Sequence, residues 1–435
     1  MSDLRDYSDR LWRGEIDTVP GAIPGMLYKG RQAEELSDRM LFYKGASSVT
    51  TIDADGTLVM LDSGAAWDAE PLYQAIRSWR PTLRLASAVF SHHHIDHIFG
   101  VAPFDREAVE KRLPRPQVFG HELIGEHFDR YKKTEGWNGA INTRQFMRPD
   151  SVTIEPQERL YDYRYPDVTY QHGLVFHEGD LTFELHHTRG ETEDATWTWI
   201  EELDTLFTGD LFIWAVPNAG NPQKVQRWVG EWATGLREMA SKGAGTMIPG
   251  HGLPIFGAGR VQQALTDTAD LLESIETQTI ALMNQGATLD TVIHEVKISE
   301  DALQKPYLRP VYDHPQFLIR NVWRQYGGWY DGEPDNLLPA PRAEQAREWV
   351  ELAGGVQNVL DRCEELRTAG NLRLACHLAE QAVLAEPSST AAHKVRTEVY
   401  EARAQLQMSF MPRGIFTFAA NSSRLGKRDF YERDP

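Results

Sequence analysis

From Ser47 to Gly64, apolar and β-branched residues come in two short bursts around Asp55-Gly56, a dipeptide that tolerates the positive φ of a tight turn, and the pattern predicts a β-hairpin. Leu72, Ala75, Ile76 and Trp79 then fall at helical spacing and predict a helix over 67–79. The run Leu83 to Phe90 is apolar and too short for a helix, as expected of a strand buried on both faces. Val118 to Gly120 ends another strand, and residues 121–133 read as a helix. From Val152 to Phe183, Tyr, Val, Thr and Phe recur between Pro and Gly, which predicts several short strands. Thr196 to Ile200 and Thr205 to Thr208 add two more, joined by an acidic turn. Strand and helix alternate first and strands dominate afterwards, so the chain should open with an α/β domain containing two layers of β-structure.

From Ala343 the pattern changes to Ala, Leu, Glu and Arg at helical period, predicting helices over 343–353, 355–368, 371–385 and 389–407. The portion from Ala369-Gly370-Asn371 to Ala385-Glu386-Pro387 resembles one helix-turn-helix unit of a tetratricopeptide repeat, with no second copy at the period of about 34 residues such arrays show. The Pro- and Asp-rich stretch Gly332 to Pro341 reads as a linker. These boundaries divide the chain into a first domain over 1–335, an all-α helical domain over 342–410 and a C-terminal tail over 411–435.

A length of 435 residues exceeds one ordinary core and agrees with that division. No apolar run reaches the roughly 18 residues needed to cross a bilayer, and the charged start Met1 to Arg10 lacks the apolar stretch of a secretory leader. The reading is cytoplasmic, with no membrane partner. Cys363 and Cys376 are the only cysteines, which excludes a disulfide framework and a cysteine-rich zinc cluster. A net charge of -18 argues against nucleic acid as a partner, and an anionic substrate would need locally placed Lys or Arg.

Chemistry concentrates in Ser91 to Gly100, where His92, His94, Asp96 and His97 follow the apolar strand directly. Imidazole and carboxylate groups alternating on a tight loop suit zinc, manganese or iron. His93 alternates away from its neighbours and reads as a packing or loop residue. A single loop would hold a metal weakly, so further ligands are expected from other strand ends. Three segments offer them: Leu185 to Asp194, with acidic residues at Glu191, Glu193 and Asp194; Leu206 to Phe212, where Asp210 sits among apolar neighbours and needs a cation to stay ionised; and Met247 to Gly252, where His251 lies between glycines.

In these motifs and their order, the chain resembles the metallo-β-lactamase superfamily. The resemblance implies an αββα sandwich and two divalent metal ions, taken as Zn2+. It selects Glu191 from the acidic run, at the position where that superfamily's third motif, His-Thr-Pro-Gly-His-Thr, has its second histidine. It places His92, His94 and Glu191 on one ion, Asp96, His97 and His251 on the other, and Asp210 between them. Asp62, in Val-Met-Leu-Asp-Ser-Gly, matches the motif-one aspartate that braces the histidine loop without binding metal. A metal-bridging hydroxide would be the nucleophile, with Asp96 as the catalytic group that orients it or takes its proton.

Three features resemble the alkylsulfatases of that superfamily: Glu191 itself; the run Gln325 to Pro334, similar to their Tyr-x-Gly-Trp-Phe-Asp-Gly-Asn-Pro; and Trp349 to Gly355 with the helices from Val356, similar to their dimerisation domain. The implied activity is hydrolysis of sulfuric esters by a homodimer in which helices of one chain cover the pocket of the other. The alternative is another ester, lactone, lactam or phosphodiester on the same centre. The chain departs from alkylsulfatases in having Asp210 where they usually have Glu, in its N-terminal start, and in lacking their third, lipid-transfer-like domain. For the substrate, Asn218, Asn221, Lys224 and Arg227 lie after Asp210 beside Phe212, Trp214 and Trp228, and could meet a sulfate next to an apolar wall. Asn142, Arg144 and Arg148, expected in a loop, are a second set.

Overall fold

A computed structural model describes residues 3–23, 28–30, 32–149, 151 and 162–431. The chain divides into two compact units, Met1–Lys133 with Tyr161–Gly328, and Thr134–Leu160 with Trp329–Pro435. The second unit thus takes in Thr134–Leu160 as well as the residues from Trp329, where the sequence reading ends the first domain at 335.

The first unit begins with α1 (Asp3–Trp12) and β1 (Ala33–Ser37), β2 (Met40–Lys44), β3 (Ser48–Asp53) and β4 (Thr57–Leu61). β3 and β4 form the expected hairpin, and Asp55 and Gly56 both take positive φ, 51° and 104°. Then come α2 (Ala69–Trp79), β5 (Arg84–Val89), α3 (Ala102–Lys111), β6 (Gln117–His121) and α4 (Leu123–Lys133). The other unit's α5 (Glu135–Gln145) intervenes before β7 (Val168–Tyr170), β8 (Gly173–Glu178), β9 (Leu181–His187), β10 (Thr196–Ile200) and β11 (Thr205–Phe207). Of the strand-rich stretch expected from 152, residues 152–161 lie outside the described residues. α6 (Val229–Ser241), β12 (Thr246–Ile248), β13 (Ile255–Phe256), α7 (Ala258–Asn284), α8 (Leu289–Glu295), α9 (Glu300–Gln304) and α10 (Pro315–Gly327) complete the unit.

Two mixed sheets result, one of seven strands in the order β1-β2-β3-β4-β5-β6-β7 and one of six in the order β13-β12-β11-β10-β9-β8. β4, β5, β6 and β7 run parallel, as do β11 and β12. Parallel strands put their carboxyl ends side by side, and the loops that follow them meet at one edge. Between the seven-stranded sheet and its helices, Leu58, Met60, Leu72, Ile76, Ala88, Phe90, Phe104 and Phe128 form a continuous apolar core. Both sheets flanked by helices give the αββα class read from the sequence.

The second unit is all helical in its described residues: α5, α11 (Arg342–Leu352), α12 (Val356–Thr368), α13 (Leu372–Ala385), α14 (Thr390–Gln405) and α15 (Phe410–Arg424). The four expected helices match α11 to α14 closely. The segment expected as a tail from 411 instead contains α15, which packs along α14 and α5. Its buried face carries Gly414, Thr417, Asn421, Ser422 and Ser423, so apolar periodicity could not reveal it. Asn142 and Arg144 lie in helix α5, not in a loop. Arg144 pairs with Asp429 at 3.1 Å and lies 5.4 Å from the Tyr431 ring centre, contacts internal to this unit.

Candidate metal centre

Five loops, each at the end of a strand, supply the site. Asp62 follows β4 at φ 53°, a left-handed conformation that turns its carboxylate back under the histidine loop after β5. There it accepts hydrogen bonds from the Ser91 N–H at 2.7 Å, the Ser91 hydroxyl at 2.9 Å and His97 Nδ1 at 2.8 Å. The contact fixes the proton of His97 on Nδ1 and leaves its Nε2 lone pair facing the cavity. Glu191 stands between β9 and β10, Asp210 after β11 and His251 after β12. The last two loops touch closely: Gly250 N–H donates to Gly209 C=O at 2.8 Å, and a Cβ on Gly250 would lie 2.1 Å from Asp210 Oδ1. Glycine at 250 is what allows the aspartate and the following histidine to share one site.

All seven residues expected as ligands come together. His92 Nε2 and His94 Nδ1 face each other at 2.9 Å, and Glu191 Oε1 is 3.9 Å from His94 Nδ1. Asp96 Oδ2 is 3.8 Å from His97 Nε2 and 3.4 Å from His251 Nε2. Asp210 spans the two groups, with Oδ1 3.4 Å from His97 Nε2, and Oδ2 3.4 Å from His251 Nε2 and 3.8 Å from His92 Nε2.

These residues fit cations better than they fit each other. His97 Nε2, Asp210 Oδ1 and Glu191 Oε2 are buried and make no hydrogen bond. Orphaned donors and acceptors of this kind are rare in folded proteins, and three at one point call for an ion. The titration behaviour agrees. Burial pushes the His92 imidazole down to about 4, and burial likewise takes His94 well below its ordinary value. Against that same burial, the carboxylates of Asp210, Asp62 and Asp96 hold His97 well above its ordinary value, and Asp210 and Asp96 raise His251 to about 10. The carboxylates thus demand positive charge where the imidazole lone pairs converge, and divalent ions meet both needs.

Part of the set expected to meet substrate turns toward Glu191 instead. Arg227 Nη1 donates to Glu191 Oε1 at 2.7 Å, and Asn218 Nδ2 donates to the same oxygen. Arg227 and Asn218 are both buried, and Arg227 also donates to the Asn218 carbonyl. Burial pushes the Glu191 carboxyl up, helped by Asp210 and opposed by Arg227. Arg227 and Asn218 therefore orient this carboxylate. Asn221 accepts from Gln223 N–H at 3.0 Å and shapes the loop. Phe212 and Trp214 are buried in the core, where Trp214 Nε1 donates to Leu253 C=O at 2.7 Å. Lys224 is half-buried within the field of Glu191 and Asp96. Burial and the charge of Arg227 bring its ammonium down to about 8.

His93 is not a ligand of this pair, yet it is more than packing: Nδ1 meets both Asp194 oxygens, at 2.9 and 3.0 Å, and Nε2 meets Arg130 Nη2 at 3.2 Å. Sequence reasoning missed Arg130 and the anchoring by Asp313, whose carboxylate accepts from Gly220 N–H at 2.8 Å and holds the 218–227 loop. Neither has a motif of its own, because each acts through a contact distant in sequence.

Comparison with known proteins agrees with the geometry. Residues 43–251 match the metallo-beta-lactamase superfamily and residues 288–426 match the alkyl sulfatase dimerisation family. A metallo-beta-lactamase superfamily domain over 43–251 is thus joined to an alkylsulfatase-type dimerisation region over 288–426. Among curated relatives, it is 24% identical over 392 residues to a linear primary-alkylsulfatase from a Pseudomonas species, covering 85% of this chain and 72% of the relative. It is 29% identical over 429 residues to an alkyl/aryl-sulfatase of Saccharomyces cerevisiae, covering 90% and 62%. An (R)-specific secondary-alkylsulfatase, also from Pseudomonas, is 25% identical, with 82% of this chain and 56% of the relative covered. The fold matches the solved sec-alkylsulfatase from Pseudomonas with a TM-score of 0.79 at 24% identity, over 91% of this chain and 66% of that one.

Proposed function

We propose that the protein is a metal-dependent hydrolase of sulfuric esters that holds two divalent cations, taken as zinc. The observation that carries this reading is the convergence of four imidazoles and three carboxylates, among which His97 Nε2, Asp210 Oδ1 and Glu191 Oε2 are buried without hydrogen bonds. The chain spans between 56% and 72% of the length of the alkylsulfatase relatives described above, and their activity supports the sulfate-ester assignment. His92, His94 and Glu191 would hold one ion, Asp96, His97 and His251 the other, with Asp210 shared.

When bound, the ions would acidify the attacking water and polarise the ester. The chain's own residues do the rest. Asp62 keeps His97 in the ligating tautomer. Arg227 and Asn218 fix Glu191, and with it the direction of its outer oxygen. Asp96 is the most exposed carboxylate of the set, at 31%, and burial works to raise it while His97 and His251 bring it down to about 2. As a carboxylate it would help hold the second ion and, being the most exposed of the set, could orient the attacking water or take its proton. Lys224 supplies positive charge for the anionic ester.

The dimerisation region supports a homodimer. Trp349 and Leu352, one helical turn apart on α11, are 62% and 78% exposed and offer an apolar face. We also assign the protein to the cytoplasm; among the described residues no helix is long and apolar enough to cross a membrane.

The test is a panel of sulfate, carboxylate and phosphate esters with lactones and lactams, given to the metal-loaded protein. Sulfate release is expected. Turnover of a carboxylic ester or lactone with no sulfate release from any member would overturn the reading.

A further inference from the structure

Between Asn218 and Arg227 the chain forms neither helix nor strand, so no backbone ladder fixes the two side chains that reach Glu191. What fixes them is α10. Asp313, fully buried just before that helix, accepts from Gly220 N–H at 2.8 Å through Oδ2 and from His314 N–H at 2.7 Å through Oδ1. The loop is pressed against the first turn of the helix there: a Cβ on Gly220 would lie 2.2 Å from the Phe317 carbonyl carbon. Farther along, Asn321 and Arg324 stand one turn apart on one face of α10. The buried Asn321 amide donates from Nδ2 to the Arg227 carbonyl at 2.7 Å, and its Oδ1 accepts from Gln226 Nε2 at 3.2 Å and from Arg324 Nη2 at 2.9 Å. Arg324 also donates from Nε to Gln226 Oε1 at 3.0 Å and from Nη1 to the Lys224 carbonyl at 3.2 Å. Both ends of the loop are thus tied to one helix.

These ties matter because of what the loop carries inward. Arg227 Nη1 and Asn218 Nδ2 both donate to Glu191 Oε1, which leaves the buried Oε2 as the oxygen without a hydrogen bond, available to an ion. A shift of the Arg227 backbone by about 1 Å would stretch its contact past hydrogen-bond range and leave two buried charges poorly paired. The helix that prevents this shift lies in the stretch matched to the dimerisation family, 288–426, yet it folds into the compact unit that bears the metal ligands.

We infer that α10 is a brace for the metal centre, in which Asn321, Arg324 and Asp313 are positioning residues that hold Arg227 and Asn218 so that they aim Glu191 at its ion. The inference rests on the two-ion reading and assigns to this helix the affinity of the ion held by His92, His94 and Glu191.

The experiment is titration of the metal-free full-length protein with cobalt(II), read by visible absorption, which reports the ligands around each ion, and by elemental analysis of bound metal. Asn321→Leu, close to the parent in shape, should weaken one of the two ions by about tenfold and change the absorption bands at equal cobalt content. Arg324→Met, at an exposed position that tolerates substitution, should move affinity and spectrum in the same direction by a smaller factor, and it decides the matter if Asn321→Leu does not fold. Tyr326→Phe, which removes only the bond to Glu276 on the same helix, should match the parent. Glu191→Gln supplies the reference spectrum of an altered ligand, and adding Asn321→Leu to it should weaken metal no further, because the brace acts through that carboxylate. A merely structural role would lower the melting temperature and leave the spectrum of the loaded protein unchanged. Metal affinity within about twofold of the parent and a parental spectrum in both Asn321→Leu and Arg324→Met overturn the inference, as does a full additional loss in the Glu191→Gln background. If the parent binds no divalent ion, the brace and the two-ion reading fail together. If it binds two ions and the variants behave as expected while no sulfate ester is hydrolysed, the brace stands and the sulfate-ester reading fails.

Discussion

Asp210 and Gly250 show how little room the metal centre has. Asp210 lies 3.4 Å from His97 Nε2 and from His251 Nε2 and 3.8 Å from His92 Nε2, so it reaches both groups of ligands. Asp210→Asn keeps the shape and removes the charge, so it should lose most bound metal and nearly all activity, as elemental analysis beside turnover will show. Gly250→Ala drives a methyl into Asp210 Oδ1 and the Gly209 backbone, and it should release metal without touching any ligand by name. Metal retained at the parental level in that variant would contradict the close-approach argument. Asp62→Asn weakens the hold on His97 Nδ1 and should cost about 10- to 100-fold in metal affinity or activity. At Lys224, with its ammonium near 8, the sign is set by its charge: the group is cationic below that pH and loses its proton as pH rises through it. KM for an anionic ester should climb across that range, and Lys224→Arg should remove the inflection. Much of this was legible from residue types and order, since the ligands stand at strand ends. Asn218 and Arg227 were picked out for the right loop, but their direction was not readable. Whether a buried cation faces substrate or a ligand depends on a contact with Glu191, 36 residues away from Arg227.

At the scale of elements, the helices of the second unit show where sequence patterns succeed and fail. α11 to α14 bury apolar stripes and were read almost to the residue. Ser389 begins α14 by accepting from Ala392 N–H, so Ser389→Ala should cost about 1 kcal/mol, measurable by denaturant unfolding, if the cap acts as its geometry states. α15 escaped notice because it is held by close approach and polar contacts. A Cβ on Gly414 would meet Gln145 O at 1.9 Å, and Asn421, Ser422 and Ser423 are all buried. α7, 27 residues long, was missed for a related reason: Thr268 and Thr279 are fully buried on its inner face and interrupt the apolar stripe. Hydropathy records transfer from water, and it does not record a hydroxyl satisfied by the helix's own carbonyl, as at Thr268.

At the scale of the whole molecule, a two-sheet metal domain and a helical region with an apolar exposed face are joined in one chain. The global charge of -18 repels an anionic ester, so such a substrate would depend on the proposed ions and on local cations for binding. Chelation should therefore abolish activity and lower thermal stability together, because the three carboxylates and four imidazoles would be left to compete for protons. The central claim is that this centre cleaves sulfuric esters. Its most direct measurement is hydrolysis of a series of organic sulfates by the zinc-loaded protein in oxygen-labelled water, reading released sulfate and the position of the label. The account predicts metal-dependent sulfate release, lost in Asp210→Asn, with the label in either the alcohol or the sulfate according to which bond breaks. Full metal occupancy with no sulfate released from any member, alongside turnover of a carboxylic ester or lactone, would contradict it.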